Sequence, residues 1–283
     1  MAALLTRRKQ AWVERRQPSI ISGTVLNNPS AVEMRYYARL DSLIDAMTAQ
    51  VEKSIKRFFT APHAEEFFAM DASVSSQARI LANSLTRKFT ALFNTAAPSI
   101  AEQAVNGADK ASASGIYESF KQLSGGLSLS VKSLSATEQE VLNASINEST
   151  ALIKSIAPQY LSGVNSALQR SIAGGGGLKD LVPYLEKHKG ITKRRARMIA
   201  TDQTRKAYNN LNRGRMEKSG LKKFIWIHTG GSNHPRKLHQ EYDGKIFSFD
   251  DLPIIDENTG EHGIPGQAIN CRCRMKPIIS FED

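Results

Sequence analysis

The sequence predicts an α+β chain: a mainly α-helical N-terminal part of long helices, followed by a small mixed α+β C-terminal domain. Three observations predict it. Apolar residues recur at spacings of three and four through the first half of the chain. After Gly220 the spacing falls to two. Between the last strand candidates the chain is dense in Gly, Asn, Asp and Pro, which is loop chemistry.

Taken in order, residues 1–29 read as a basic arm. It carries Arg7, Arg8, Lys9, Arg15 and Arg16 against Glu14 and ends in the turn-forming Asn27-Asn28-Pro29. Ser30, with Glu33 three residues on, can form a capping box. Leu40, Ile44, Met47, Val51, Ile55 and Phe58 then fall on one face of a helix ending near Phe59. Pro62 breaks the pattern. Val74, Ala78, Leu81, Leu85, Phe89 and Leu92 form a second stripe with the same spacing. Pro98 is expected to open a third helix, rich in Ala and Ser, and Gly125-Gly126 to end it. Ser135 and Glu138 offer another capping box, opening a helix that carries Val141, Leu142, Ile146, Leu152 and Ile153. Pro158 kinks or restarts that helix.

Gly174, Gly175, Gly176 and Gly177 read as a hinge, because consecutive glycines lose much backbone entropy on ordering; a plain loop is the other reading. A short helix over 178–187 follows, then a basic helix from Thr192 to a natural stop at Gly220. Phe224, Trp226 and His228 alternate with Ile225 and Ile227 as a strand. Residues 246–249 and 274–279 are further strand candidates. The expected organisation is an arm over 1–29, a helical region over 30–173, a glycine hinge and short helix over 174–190, and a C-terminal domain over 191–283.

Composition narrows the function classes. No run of about 18 apolar residues is present, so no membrane span is expected. The N-terminal charges follow the apolar residues, which is the wrong order for a secretory signal. Two cysteines make no disulfide framework, so a cytosolic product is expected. The net charge of +11 is concentrated: thirteen Lys and Arg lie over 187–223 against Asp202 and Glu217, an excess equal to that of the whole chain. A basic stripe of this density attracts a polyanion by counterion release, or it is a solvated helix face. Lys193, Arg194, Arg195, Arg197, Arg205 and Lys206 are its candidate binding residues for nucleic acid or an acidic protein surface. An arginine here could equally clamp carboxylates within the domain.

His234, His239, Cys271 and Cys273 are the residue types zinc prefers. A disulfide across one intervening residue is strained, and thiolates separated by one residue are off the pattern of usual zinc knuckles. The other reading is a small buried thiol and a hydrogen-bonded core histidine. No organic cofactor is implied. A His-Asn-His metal nuclease would need a histidine base beside metal ligands on a hairpin, and no Asp-His or His-His pair sits at a hairpin end here. Trp226 is expected in the core with its indole N–H bonded. Asp243-Gly244 and Pro265-Gly266 suit tight turns that shape the loop presenting His239 and Cys271.

The ordered string of Arg195, Ala196, Ile199, Ala200 and Thr201, then Trp226, Arg236, His239, Asp243, Gly244, Pro265, Gly266, Asn270, Cys271, Arg272 and Cys273, resembles the phage Mu protein F-like family over about residues 191–279. Asp202 stands where a glutamate is usual, and Ser232-Asn233-His234-Pro235 replaces an acidic-basic pattern. These departures bear on conserved chemistry more than on a role carried by shape. The resemblance implies a minor capsid or head-morphogenesis protein of a tailed bacteriophage, inside the virion near the portal vertex, assembled in the host cytoplasm and non-enzymatic. It implies as partners the portal protein, the major capsid or scaffold protein, and packaged double-stranded DNA. It makes Trp226, Arg236, His239, Asp243, Gly244, Pro265, Gly266, Asn270 and Arg272 structural. Some relatives carry a toxin module after this domain; only residues 280–283 follow the last strand candidate, so none is expected. The domain has also been likened to ADP-ribosyltransferase folds, but no supporting Arg, Ser-Thr-Ser and Glu set is found. The alternative is a zinc-dependent nuclease or nucleotide-modifying enzyme using His239, Cys271 and Cys273. A free DNA-binding regulator lacks a helix-turn-helix pattern.

Overall fold

The apolar stripes do become long helices. A computed structural model describes residues 20–60, 74–123, 134–230 and 235–280. In chain order these hold β1 (Ile20–Ser22), α1 (Ser30–Thr60), α2 (Val74–Leu123), α3 (Ala136–Lys154), α4 (Ile156–Ala173), α5 (Gly177–Lys218) and β2 (Lys223–Ile227). They continue with α6 (Lys237–Glu241), β3 (Ile246–Ser248), β4 (Ile254–Asp256), β5 (Glu261–His262) and β6 (Arg274–Ser280). The expected α+β class holds. Among the described residues no helix is long and apolar enough to cross a membrane.

The chain forms two compact units. A helical unit takes Pro29–Ala111 and Ala136–Tyr208; a sheet unit takes Met1–Asn28, Ser112–Ser135 and Asn209–Asp283. The boundary in the C-terminal half therefore falls inside α5, whereas the sequence suggested the glycine run. Both helices joined by that run belong to the helical unit.

In the helical unit, Leu40, Ile44, Met47, Val51 and Ile55 of α1 are fully buried. They pack in one cluster with Ala78, Leu85, Phe89 and Phe93 of α2, Tyr160, Leu161 and Val164 of α4, and Leu181, Leu185, Ala196 and Ile199 of α5. Each large aliphatic side chain so buried contributes about 1.5–3 kcal/mol. The α2 stripe drifts: Leu92 is 39% exposed while Phe93 is fully buried. A strict three-four alternation averages 3.5 residues and slips against the 3.6-residue turn.

Several boundary expectations are corrected. Pro98 opens no new helix but lies within α2, and Pro183 lies within α5, which replaces the expected short helix and separate basic helix by one. A proline in a helix interior removes one backbone bond. Here buried neighbours hold the rod on either side: Phe93 and Ala101 around Pro98, Leu181 and Leu185 around Pro183. Pro158 does restart a helix, sitting in the first turn of α4, where a missing N–H leaves no bond unmade. The first capping box does not form: the N–H groups of Val32 and Glu33 go to the Pro29 carbonyl, and the Glu33 carboxylate goes to Arg205. The glycine run is a tight connection of defined geometry. Gly175 and Gly177 take φ of +68° and +57°, and Ser171 Oγ donates to the Gly177 carbonyl at 2.7 Å. Pro62 and Gly125-Gly126 lie outside the described residues.

In the sheet unit, α5 ends as expected at Gly220, whose φ of +80° lets Leu221 N–H return to the Met216 carbonyl at 2.9 Å. Four antiparallel strands follow the order β1-β6-β2-β3. Trp226 pairs with Met275 and Phe224 with Pro277, and Phe224, Trp226 and Met275 are fully buried. Two expectations change here. The described end of the supposed arm is built into the sheet: Ile20–Ser22 pair with 278–280, and Leu26, 1% exposed, donates its N–H to the Met275 carbonyl. The Gly-, Asn- and Pro-rich segment expected as plain loop holds the small β4–β5 ladder.

Candidate functional site

Lys189, Lys193, Arg195, Arg205 and Lys206 of the basic stripe are engaged within the helical unit. Lys193 Nζ lies 3.0 Å from Asp41 and 2.8 Å from Asp45, and Lys189 lies 2.6 Å from Asp45. Arg205 makes a two-point contact with Glu33, Nε to Oε1 at 2.8 Å and Nη2 to Oε2 at 3.1 Å, with both side chains about nine-tenths buried. Lys206 reaches Glu148 at 3.3 Å. Arg195 Nη2 donates to Ser155 Oγ at 2.8 Å, at the break between α3 and α4. Arg197 stacks over Tyr37 at 4.5 Å while remaining exposed, and Arg194 is exposed. Lys189, Lys193, Arg205 and Lys206 thus form the basic half of a charge lattice within the helical unit, with Arg194 and Arg197 presented outward.

Asp45 gives a pH test. Hydrogen bonds from Lys189, then Lys193, hold its carboxyl below the usual value. A depressed acid stabilises the fold above its unfolded pKa of about 3.9, and that contribution is lost as pH falls through the folded value. The Asp45 side chain is 44% exposed, so Asp45→Asn is expected to cost at most about 1 kcal/mol at pH 7. Thermal midpoints of variant and wild type should converge in acid; a constant gap down to pH 2 would refute the assignment.

The second cluster lies in the sheet unit. His239 on α6, Cys271 and Cys273 are 3%, 4% and 2% exposed, and their ligand-type atoms lie within 4.8 Å of one another. His239 Nδ1 is 3.5 Å from Cys271 Sγ and 3.8 Å from Cys273 Sγ. Its Nε2 faces the Ile255 carbonyl at 2.9 Å, so Nε2 carries the proton and Nδ1 turns its lone pair to the sulphurs. Neither cysteine is in a disulfide. The Cys271 thiol is pulled down mainly by a hydrogen bond from Cys273, against the effect of burial; Cys273 is pushed up by the same bond and by burial.

His228, which the sequence expectation leaves out of the zinc ligands, lies beside this cluster of three. Its Nδ1 lies 3.6 Å from Cys273 Sγ. A signal for it exists: residues two apart on a strand share a face, so His228 follows Trp226 toward the same side. It also continues the β2–β6 register, in which Ile227 faces Arg274, so the next residue meets Cys273. His234, the histidine favoured by the sequence, lies outside the described residues.

The other motif residues frame this cluster. Trp226 stands edge-on to His239 at 5.1 Å and to Tyr242 at 5.3 Å. Contrary to expectation, its buried indole N–H has no conventional partner, and its polar neighbour is the Cys273 sulphur. Asp243 Oδ1 accepts the His228 N–H at 2.8 Å. Gly244, at φ +75°, lets the chain turn from α6 into β3, so Asp243-Gly244 joins helix to strand and not two strands. Arg236 Nη1 donates to the Ile269 carbonyl at 3.1 Å. Pro265 and Gly266 are buried. Gly266 sits at φ +87°, where a Cβ would collide with the Asn209 side chain. Asn270 takes φ +59°, a left-handed turn that asparagine tolerates, and Arg272 offers its carbonyl to Asn28 Nδ2 at 3.2 Å.

Residues 162–276 match the family model described as Phage Mu protein F like protein. The match covers the C-terminal region and begins within α4, earlier than the motifs had suggested. A Haemophilus influenzae (strain ATCC 51907 / DSM 11121 / KW20 / Rd) protein carried under the name "Uncharacterized protein" is 29% identical over 252 residues. That alignment takes in 87% of this chain and 53% of the relative, so the chain spans about half the length of the curated relative it matches. No solved structure matches the chain.

Proposed function

We propose, taking the Mu F-like C-terminal region as premise, that the chain is a non-enzymatic head-morphogenesis component of a tailed bacteriophage. It sits inside the capsid near the portal vertex, docks through its helical unit on the portal, capsid or scaffold protein, and lies against packaged DNA. The family match over 162–276 carries this reading. The placement of the motif residues supports the non-enzymatic part. His239 is buried with both ring nitrogens facing protein groups, so no lone pair is presented to a substrate. Trp226, Asp243, Gly244 and Gly266 serve local geometry. The excess of positive charge supports contact with a polyanion through the outward-facing arginines.

Mass analysis of purified heads and of their assembly intermediates tests the reading. The chain is expected in both, at few copies per particle. Its absence from both overturns the proposal. Catalytic turnover of nucleic acid or nucleotide by the isolated chain, abolished by His239→Ala, would replace it by the enzymatic alternative.

A further inference from the structure

We propose that His228, His239, Cys271 and Cys273 form a closed Cys2His2 site for one structural Zn2+. The geometry carries the inference. Zinc–sulphur bonds of about 2.3 Å and zinc–nitrogen bonds of about 2.0–2.1 Å in a tetrahedron set sulphur–nitrogen edges of roughly 3.6 Å. The three such edges recorded here are 3.5, 3.6 and 3.8 Å. Hydrogen bonding alone accounts for them less well. His239 Nδ1 has a single lone pair, yet two sulphurs approach it, so only one S–H can be accepted there. A metal ion resolves the conflict by binding both sulphurs as thiolates and the lone pair as a ligand.

The surroundings are those of a ligand set. His239 is oriented through its other nitrogen by the Ile255 carbonyl, as metal-bound histidines are. Cys271 and Cys273 are buried on either side of the exposed Arg272, and both sulphurs reach the same group of ligand-type atoms despite the short spacing. His228 is half-buried and stands outside the mutually close set of three, but its Nδ1 approaches Cys273 Sγ at 3.6 Å, and on that contact we assign it the fourth position. The ion would tie the end of β2, the short helix α6 and the approach to β6 to one point. A five-residue helix and a loop have few apolar contacts of their own, so such a tie would fix their fold. The site is independent of the head-assembly reading and stands or falls separately from it.

The test uses the full chain. Purified protein is expected to contain one zinc per chain. After stripping with a chelator, the wild type should take up one Co2+ with the visible bands of tetrahedral cobalt and thiolate charge transfer, and its thermal midpoint should rise on reloading. Affinity should fall in Cys273→Ser and in His228→Ala by more than the roughly 10–100-fold that loss of an outer-shell partner costs. His234→Ala should bind as wild type. Because the cobalt spectrum is read on wild type, a variant that fails to fold leaves the proposal testable. Failure of the stripped wild type to bind Co2+ through thiolate overturns the site. Loss of binding in His234→Ala with retention in His228→Ala overturns the assignment of the fourth ligand.

Discussion

Trp226→Ala is expected to destabilise the sheet unit by about 3–5 kcal/mol, the range for removing a large buried aromatic side chain. The indole is fully buried on the central strand β2, where it faces Met275 across the ladder. Its ring meets His239, Tyr242 and Phe247 at centroid distances of 5.1, 5.3 and 6.0 Å, and these edge contacts add to the burial. The cavity would open where β2, β3 and α6 converge, among the rings of His239, Tyr242 and Phe247. Denaturant unfolding followed by circular dichroism gives the total. Hydrogen exchange at the β2 and β6 amides assigns the loss to the sheet. A change below about 1 kcal/mol would mean that the tryptophan is not the centre of this core.

Arg205→Ala is expected to lower stability by on the order of 3 kcal/mol while leaving nucleic-acid binding nearly unchanged. The bidentate contact with Glu33 is largely out of water, so deleting the cation leaves a carboxylate with its desolvation uncompensated. Arg194→Glu is expected to do the opposite. Its side chain is exposed, so stability should move by no more than about 0.5 kcal/mol. If the outward face meets DNA, the salt dependence of binding should weaken by about one unit of slope for each phosphate that is no longer neutralised. Equilibrium unfolding and a salt series of DNA binding, run on both variants, separate the roles. Unchanged stability with abolished binding in Arg205→Ala would return that residue to the binding face.

Much of the helical architecture is legible in the sequence because burial leaves a period. The α1 stripe from Leu40 to Ile55 can be read residue by residue, and each member is fully buried. What the period conceals is continuity. Pro98 looks like a boundary locally, but tertiary contacts around it outweigh one missing backbone bond, and the expected short and basic helices of 178–220 run together in the same way. Charge misleads for a related reason: sequence shows the cations of 187–223 as a cluster, while the anions that meet them, Glu33, Asp41, Asp45 and Glu148, come from distant segments. The strand β1 carries no local signal, since three residues pair with a segment remote in the chain. In the cysteine cluster the identities of His239, Cys271 and Cys273 are readable. The choice of His228 requires the register between β2 and β6.

One of the two edge strands of the sheet, β1, comes early in the chain and is bonded to the much later β6. The neighbouring side-chain bond from Asn28 to the Arg272 carbonyl closes a separation of 244 residues. During synthesis every residue of the helical unit has been made once Tyr208 is added, whereas the sheet waits for its last strand. Translation therefore imposes a sequence of maturation, with helices able to consolidate before the last strand of the sheet has been made. Until then the early strand has no partner, and its brevity, three residues, limits its power to recruit a wrong one.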